Sequence, residues 1–382
     1  MTSPALLPAD LRIDGDGRRE RAGTHDVMAA ILSALGHGSP VAGIELPRAR
    51  RCVLVVIDGM GWHQVGQRLA HARAFVRSAW ESARPIPTCA PATTAAAITT
   101  LTTGAWPGET NMLGYEVVDP TAGPFSLITF RARGTQRVLP VEGWNPQPSA
   151  FATAAELGVR SIGVVPPKFA GSGLTLQALG GLELRYARSL DERVHLAALA
   201  CREAALTYLY VEHLDHVGHH AGWDSPDWLA QLDEIDRALA TLAARLPAET
   251  LLVVTSDHGM INPDSHAIYD LADSPLARDD VMLGGEPRAL HVHVRGGDSE
   301  EIAERWRIEL GEHADIVRAC DLAPYVGPIA RADLIGDFWV WSRERASVVD
   351  SRVHTASARA MKGIHGSLTP EEIEVPLLVE LS

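Results

Sequence analysis

Six residues have the types from which divalent-metal sites are built: Asp58, Asp215, His219, Asp257, His258 and His365. They fall in four short segments. Asp58 ends an apolar run, Asp215-His216-Val217-Gly218-His219 has the form D-x-x-G-H, Asp257-His258-Gly259 follows, and His365 stands between Gly363-Ile364 and Gly366. Carboxylate oxygens and imidazole nitrogens together suit zinc or manganese. Singly, each aspartate has a plainer reading as a turn or helix-capping residue; their neighbours change that. Gly218 predicts a tight turn instead of a regular helix, bringing Asp215 and His219 to one ion. Adjacent residues on a strand point to opposite faces, so Asp257 and His258 share an ion only if their strand has ended, which Gly259 favours. His213, His216 and His220 crowd the D-x-x-G-H segment as alternative ligands, supporting groups or surface residues.

A hydroxyl completes the set. From Pro91 to Gly104 the chain is rich in alanine and threonine. Alanine favours a helix and Gly104 suits its end. Thr94 then lies near the helix N-terminus, where free amides and the helix dipole favour an anion such as a phosphoryl group. Its hydroxyl is a weak nucleophile until a metal ion makes the alkoxide accessible. Thr99 to Thr103 read as packed helix residues.

The elements that must position these groups are legible in the apolar pattern. Continuous apolar runs at Val53–Ile57, Ser161–Val165, Leu206–Val211 and Leu251–Thr255 alternate with helical stretches. That pattern predicts an α/β fold with a mostly parallel central sheet and helices on both faces. Ligands gather beyond the carboxyl ends of such strands, where Asp58, Asp215 and Asp257 fall. A helix is expected from about Asp26 to Leu35. Another is capped by Ser225 with Pro226 at its first position, and Trp228, Leu229, Leu232, Ile235, Leu239 and Leu242 form its buried stripe. Residues 268–350 read as a small α+β insertion, or cap, on a core of 25–267 and 351–382. Within it, Leu290–Val294 alternates like a half-exposed strand, 299–310 is helical and Phe338–Trp341 is a strand. His291 and His293 share one strand face, read as surface or interface. Residues 1–24 read as a loose lead-in.

The order of these motifs resembles the alkaline phosphatase superfamily, and in detail its type I phosphodiesterase/nucleotide pyrophosphatase family. The resemblance is carried by the strand ending at Asp58, T-x-G-x-x-P at Thr102, Gly104 and Pro107, the stretch Gly104–Tyr115, D-x-x-G-H, D-H-G and the late His365-Gly366 before Val375-Pro376-Leu377. It spans residues 53–378. It implies two divalent ions, usually zinc with manganese as the alternative. Asp58, Asp257 and His258 would hold one, with the Thr94 oxygen, and Asp215, His219 and His365 the other. Counting back from Gly104 puts the nucleophile at Thr94, with Thr93 as its neighbour. The implied reaction is hydrolysis of a phosphodiester or pyrophosphate, of nucleotide type, through a phosphothreonine. A phosphomonoesterase or phosphonate hydrolase on the same site is the nearest alternative, and a metal-stabilised binding protein without turnover is another. Sulfatases are excluded by the lack of C-x-P-x-R: the run Cys89-Ala90-Pro91-Ala92-Thr93 has no arginine. Animal members follow the nucleophile with Phe-Pro-Asn, whose asparagine contacts a phosphoryl oxygen; here Ala95-Ala96-Ala97 follows, so the next backbone amide or another group must serve.

Bulk properties agree with a small anionic substrate and exclude long nucleic acid. The 382 residues carry a net charge of -14, whereas gripping a nucleic-acid backbone needs a basic face; bound metal ions reverse the local field for a small anion. Hydrophobic residues make up 46%, enough for a sizeable core. Cys52, Cys89, Cys201 and Cys320 form no C-x-x-C pair, so buried free thiols are expected. The N-terminal segment lacks a signal-peptide core and no run spans a bilayer, so no membrane association and a cytoplasmic location are expected. The substrate's organic group would be met by residues 105–150 and the insertion, where Trp106, Tyr115 and Trp144 read as packing or stacking residues. Oligomeric state is not encoded in any motif.

Overall fold

The computed structural model describes residues 7–382. A seven-stranded sheet forms the centre. Its strands are β1 (Arg51–Ile57), β2 (Arg84–Pro87), β3 (Ser161–Val165), β4 (Glu183–Tyr186), β5 (Leu206–Val211), β6 (Thr250–Thr255) and β11 (Glu374–Leu381), in the spatial order β2-β11-β6-β1-β5-β3-β4. Strand β1 pairs in parallel with both β5 and β6, β3 pairs in parallel with β5 and β4, and the late β11 runs antiparallel to β6 and β2.

Strand β1 explains why its sequence is continuously apolar. Val53, Val55 and Ile57 join one core cluster, whereas Cys52, Leu54 and Val56 join the other. A strand with helices on both faces has no solvent side to alternate against. The first cluster is roofed by α4 (Leu190–Glu203) and α6 (Pro226–Ala243), and the second by α1 (Thr24–Ala34) and α2 (Thr94–Thr103), with α3 (Gly173–Ala178) packed beside α2. The cap on α6 forms as expected: the Ser225 hydroxyl accepts from the Trp228 amide, and Trp228, Leu232, Ile235, Leu239 and Leu242 are buried. One buried residue on that helix is polar: the Asp236 carboxylate accepts from the Ala74, Phe75 and Val76 amides and so tethers a loop.

A second, four-stranded sheet lies within residues 281–342. It comprises β7 (Val281–Glu286), β8 (Ala289–Val294), β9 (Ala314–Arg318) and β10 (Phe338–Ser342), in the order β7-β8-β10-β9, all antiparallel. Helix α7 (Ser299–Leu310) packs Ile302, Ala303, Trp306 and Leu310 onto one face. The half-exposed strand expected at 290–294 is corrected here. From Ala289 to Val292 both faces are buried, because α7 covers Leu290 and Val292 while Trp339 covers the other side. The surface reading of His291 is corrected with it: the imidazole is fully buried and stacks on Trp339 at 3.7 Å. His293 is half-buried. All four cysteines are unpaired; Cys52, Cys89 and Cys201 are buried as expected, but Cys320 is exposed. No helix of the described residues is long and apolar enough to cross a membrane.

Candidate metal centre and active site

The expected ligands come together in two groups at the carboxyl ends of the parallel strands. Asp58, Asp257 and His258 form one, and Asp215, His219 and His365 the other; within each, one ligand atom per residue lies within 4.8 Å of the others. Asp58 follows β1 directly, and Asp257 and His258 follow β6 after Ser256, so that strand has ended as the Asp257-His258 pair requires. Gly59 holds the turn after β1 with φ +73°, and a Cβ there would lie 3.0 Å from the Asp215 backbone. Its amide donates to Asp257 Oδ1 over 3.2 Å, tying the Asp58 turn to Asp257 within the first group.

The turn expected at Gly218 is a correction. Residues His213–Ala221 form a helix, α5, that runs through Gly218. Asp215 and His219 are brought together by i,i+4 helical spacing, with His219 Nε2 3.3 Å from Asp215 Oδ2. The glycine serves close packing instead, since a Cβ would sit 2.5 Å from Met260 Sδ.

The hydrogen bonds of the three imidazoles decide what this arrangement can do. His219 Nδ1 lies 2.8 Å from the Gly363 carbonyl, His258 Nδ1 3.0 Å from the Gly259 carbonyl and His365 Nδ1 2.9 Å from the Ala92 carbonyl. A carbonyl only accepts, so each Nδ1 carries a proton and Nε2 is the ring nitrogen left to face the site. Those nitrogens face carboxylates: His258 Nε2 is 3.3 Å from Asp58 Oδ1 and 3.5 Å from Asp257 Oδ2, and His365 Nε2 is 3.6 Å from Asp215 Oδ1. Asp58 Oδ1, Asp215 Oδ1 and Asp257 Oδ2 are buried without any hydrogen-bond donor. Buried carboxylate oxygens without donors, converging with imidazole nitrogens, are what a pair of cations would resolve, so the residues fit divalent ions. Burial, and then the charges of Asp257 and Asp215, push the Asp58 carboxyl well above its ordinary range. Burial and then the neighbouring His258 hold the His365 imidazole well below its own.

Thr94 is the first residue of α2, after Thr93, and no side chain caps that helix start. Its hydroxyl lies 3.2 Å from His258 Nε2 and borders, with Asp58 and Asp215, a cavity of about 190 Å³. Thr93 is buried and does not line the cavity. His213, His216 and His220 belong to neither ligand group: His213 leans on the Arg193 guanidinium, and His216 and His220 contact one another.

Sequence reasoning missed three contributors. Tyr210 donates its hydroxyl to Asp58 Oδ2; it was hidden in an apolar run, although period-two alternation puts it on the α2 face of β5. The Ser256 hydroxyl, beside Asp257, accepts from the Met60 amide and holds the β1 turn. Lys168 lines the cavity with its ammonium 3.4 Å from Glu212, and Glu212 is also gripped by the buried Arg193. Trp106, Tyr115 and Trp144 do not line the cavity: Trp106 packs on His25 and Trp144 on Phe125 and Phe130, while Tyr115 is exposed.

A family profile described as type I phosphodiesterase / nucleotide pyrophosphatase matches residues 52–368. The chain belongs to that family. Membership makes the two clusters above its candidate metal site. Human ectonucleotide pyrophosphatase/phosphodiesterase family member 5 is 32% identical over 104 residues, and mouse GPI ethanolamine phosphate transferase 3, catalytic subunit, is 33% identical over 91. These matches take in 26% and 24% of this chain but only 22% and 8% of the relatives' lengths. Solved structures extend the likeness across the fold. Human ectonucleotide pyrophosphatase/phosphodiesterase 5 superposes with a TM-score of 0.68 at 19% identity, covering 86% of this chain and 87% of that one. Phosphonoacetate hydrolase from Sinorhizobium meliloti, in complex with phosphonoacetate, gives 0.66 at 19% identity, covering 89% and 92%. As a type I phosphodiesterase family member, the chain has the alkaline phosphatase-like α/β fold of these neighbours.

Proposed function

We propose that this protein is a two-metal hydrolase that cleaves a phosphodiester or pyrophosphate bond in a small anionic substrate, with Thr94 as nucleophile. The observation that carries this is the set of unpartnered carboxylate oxygens converging with imidazole Nε2 atoms beside one hydroxyl. Asp58, Asp257 and His258 would hold one ion, with the Thr94 oxygen, and Asp215, His219 and His365 the other; the nitrogen and oxygen donors favour zinc, with manganese next. When bound, such ions lower the pKa of a coordinated hydroxyl or water and offset charge on phosphoryl oxygens.

The chain's own residues do the rest. Thr94 Oγ1 forms a bond to phosphorus as the bond to the departing oxygen breaks, and that oxygen leaves with one proton. Water then cleaves the phosphothreonine ester, returning a proton to Thr94 and releasing the phosphate product. The open first turn of α2 presents backbone amides to the phosphoryl oxygens, which supports the amide after Thr94 as the donor where Ala95-Ala96-Ala97 stands. Tyr210 and Ser256 hold the Asp58 and Asp257 loops in register. A mouse relative in complex with AMP and a neighbour in complex with phosphonoacetate support a small phosphorus-bearing ligand.

The test is metal content together with turnover of bis-p-nitrophenyl phosphate and p-nitrophenyl phosphate by the wild type and Thr94→Ala. We expect about two zinc per chain, diester preference, and a loss of about a thousandfold or more in the variant with its metal retained. Preference for the monoester would move the function to a phosphatase. Metal-free, inactive protein after zinc and manganese supplementation would overturn the catalytic proposal.

A further inference from the structure

The cavity beside Thr94 divides by chemistry. Asp58, Thr94 and Asp215 contribute the reactive part of its lining, while much of the rest is Ile98, Ile128, Phe169, Leu174, Leu179 and Tyr208. The remaining hydroxyls on that wall are already engaged. Ser172 donates to Thr175, Thr175 donates to the Phe169 carbonyl, and Tyr210 donates to Asp58. Tyr208 Oη alone makes no hydrogen bond to a described residue.

Size and polarity then select the occupant. A cavity of roughly 150 Å³ lined by leucine, isoleucine and phenylalanine stays dry and takes up benzene. At about 190 Å³, this one holds a single six-membered ring or a hydrocarbon chain of similar bulk. Lys168, Glu212 and His216 also line the cavity, with Lys168 and Glu212 paired to one another; a nucleobase set against the Ile98, Ile128, Leu174 and Leu179 wall would still bring several donors and acceptors where only the Tyr208 hydroxyl is free. Each polar group left unpaired there loses its bonds to water without replacement, whereas a phenyl ring has none to lose.

We infer that the cavity is the subsite for the substrate's organic group, and that it selects a single apolar ring or short hydrocarbon substituent over a nucleoside. This rests on the proposal that phosphorus is attacked at Thr94. Helix α2 carries both features: Thr94 opens it, and Ile98, one turn on, lines the cavity.

Three diesters with a common leaving group test this: the methyl, phenyl and thymidin-5′-yl esters of 4-nitrophenyl phosphate, given to the zinc-supplied full chain. We expect kcat/KM for the phenyl ester to exceed that for the methyl ester tenfold or more, with the thymidinyl ester below the phenyl. Leu174→Trp, which fills the cavity, should bring the phenyl-to-methyl ratio close to one. Ile128→Trp replaces it if the melting curve shows that Leu174→Trp does not fold, and the wild-type ratios decide if neither folds. Faster turnover of the thymidinyl ester than of the phenyl ester overturns the inference, as does an unchanged ratio in a folded variant. If no ester is hydrolysed, the catalytic proposal fails and calorimetry judges the cavity alone. Phenylphosphonate binding tenfold tighter than methylphosphonate, and losing that advantage in the variant, then supports it; equal affinities overturn it.

Discussion

Arg288 and Glu372 are as deeply buried as Asp257 and His258, yet the two groups obey opposite rules. Arg288 Nε and Nη2 donate to the two oxygens of Glu372 at 3.0 and 2.5 Å, and the guanidinium also donates to the Ala346 carbonyl. Glu372 receives further bonds from the Ser367 amide and the Thr369 hydroxyl. Every charge there has its partner. At the ligand clusters three carboxylates meet, and one oxygen of each has no donor. Glu286 is a third case: buried, with one bond from the Tyr115 amide and no cation beside it, its carboxyl is pushed up to about 8, by burial first and the charge of Glu372 second. A buried carboxyl can pair with arginine, keep its proton or wait for a metal. Burial alone does not tell these apart; the tally of unmet acceptors does.

The sharpest break of this comparison is Arg288→Ala. It strands Glu372 and should destabilise the protein by about 3–5 kcal/mol in a denaturant titration, whereas Arg288→Met with Glu372→Leu should recover most of that loss. A double variant no better than the single one would show that the pair does more than neutralise itself. Glu286 gives a pH signature of definite sign. Its native carboxyl holds a proton that the unfolded chain gives up at about 4.5, so its contribution is complete below that pH and is lost as pH rises through about 8. Melting curves should show the wild type falling behind Glu286→Gln across that window, by at most about 1.4 kcal/mol per pH unit. Parallel pH profiles would mean the carboxyl is ionised in the fold.

Smaller effects separate the ligand clusters from the ion pair. Zinc added to chelator-treated protein should raise its stability by about 2.7 kcal/mol for each site at a hundred times its Kd, because the ions bind only the folded clusters. The Arg288→Ala penalty should be the same with and without zinc. No melting shift on adding zinc or manganese would remove the clusters from the metal category. Tyr210→Phe keeps the ring and deletes the bond to Asp58. It should weaken metal binding about tenfold to a hundredfold, read by competition with a chelating dye, and leave the melting point of metal-free protein nearly unchanged. A large melting loss instead would make Tyr210 a packing residue.

The sequence by itself determined the parts whose causes are local. Continuous apolar runs marked β1, β3, β5 and β6 because residues buried on both faces need no alternation, and Ser225-Pro226 marked a helix start because a cap needs only its next three residues. Asp58, Asp215 and Asp257 could be brought together from the sequence because strand ends in a parallel sheet converge on one edge whatever the loops between them do, while His219, His258 and His365 were joined to them by the order of the family's motifs. Tertiary structure decided everything that depends on partners far along the chain. Tyr210 meets Asp58 across 152 residues, and Arg288 meets Glu372 across 84. Gly218 is a glycine because Met260 presses on a helix, which no local rule distinguishes from a turn. His291 looked solvated because alternation reports a strand's two faces but not what covers them, and Trp339 covers this one. The cavity's size and apolar wall are likewise properties of the space left between α2, α3 and the sheet, and such space exists only once the chain has folded.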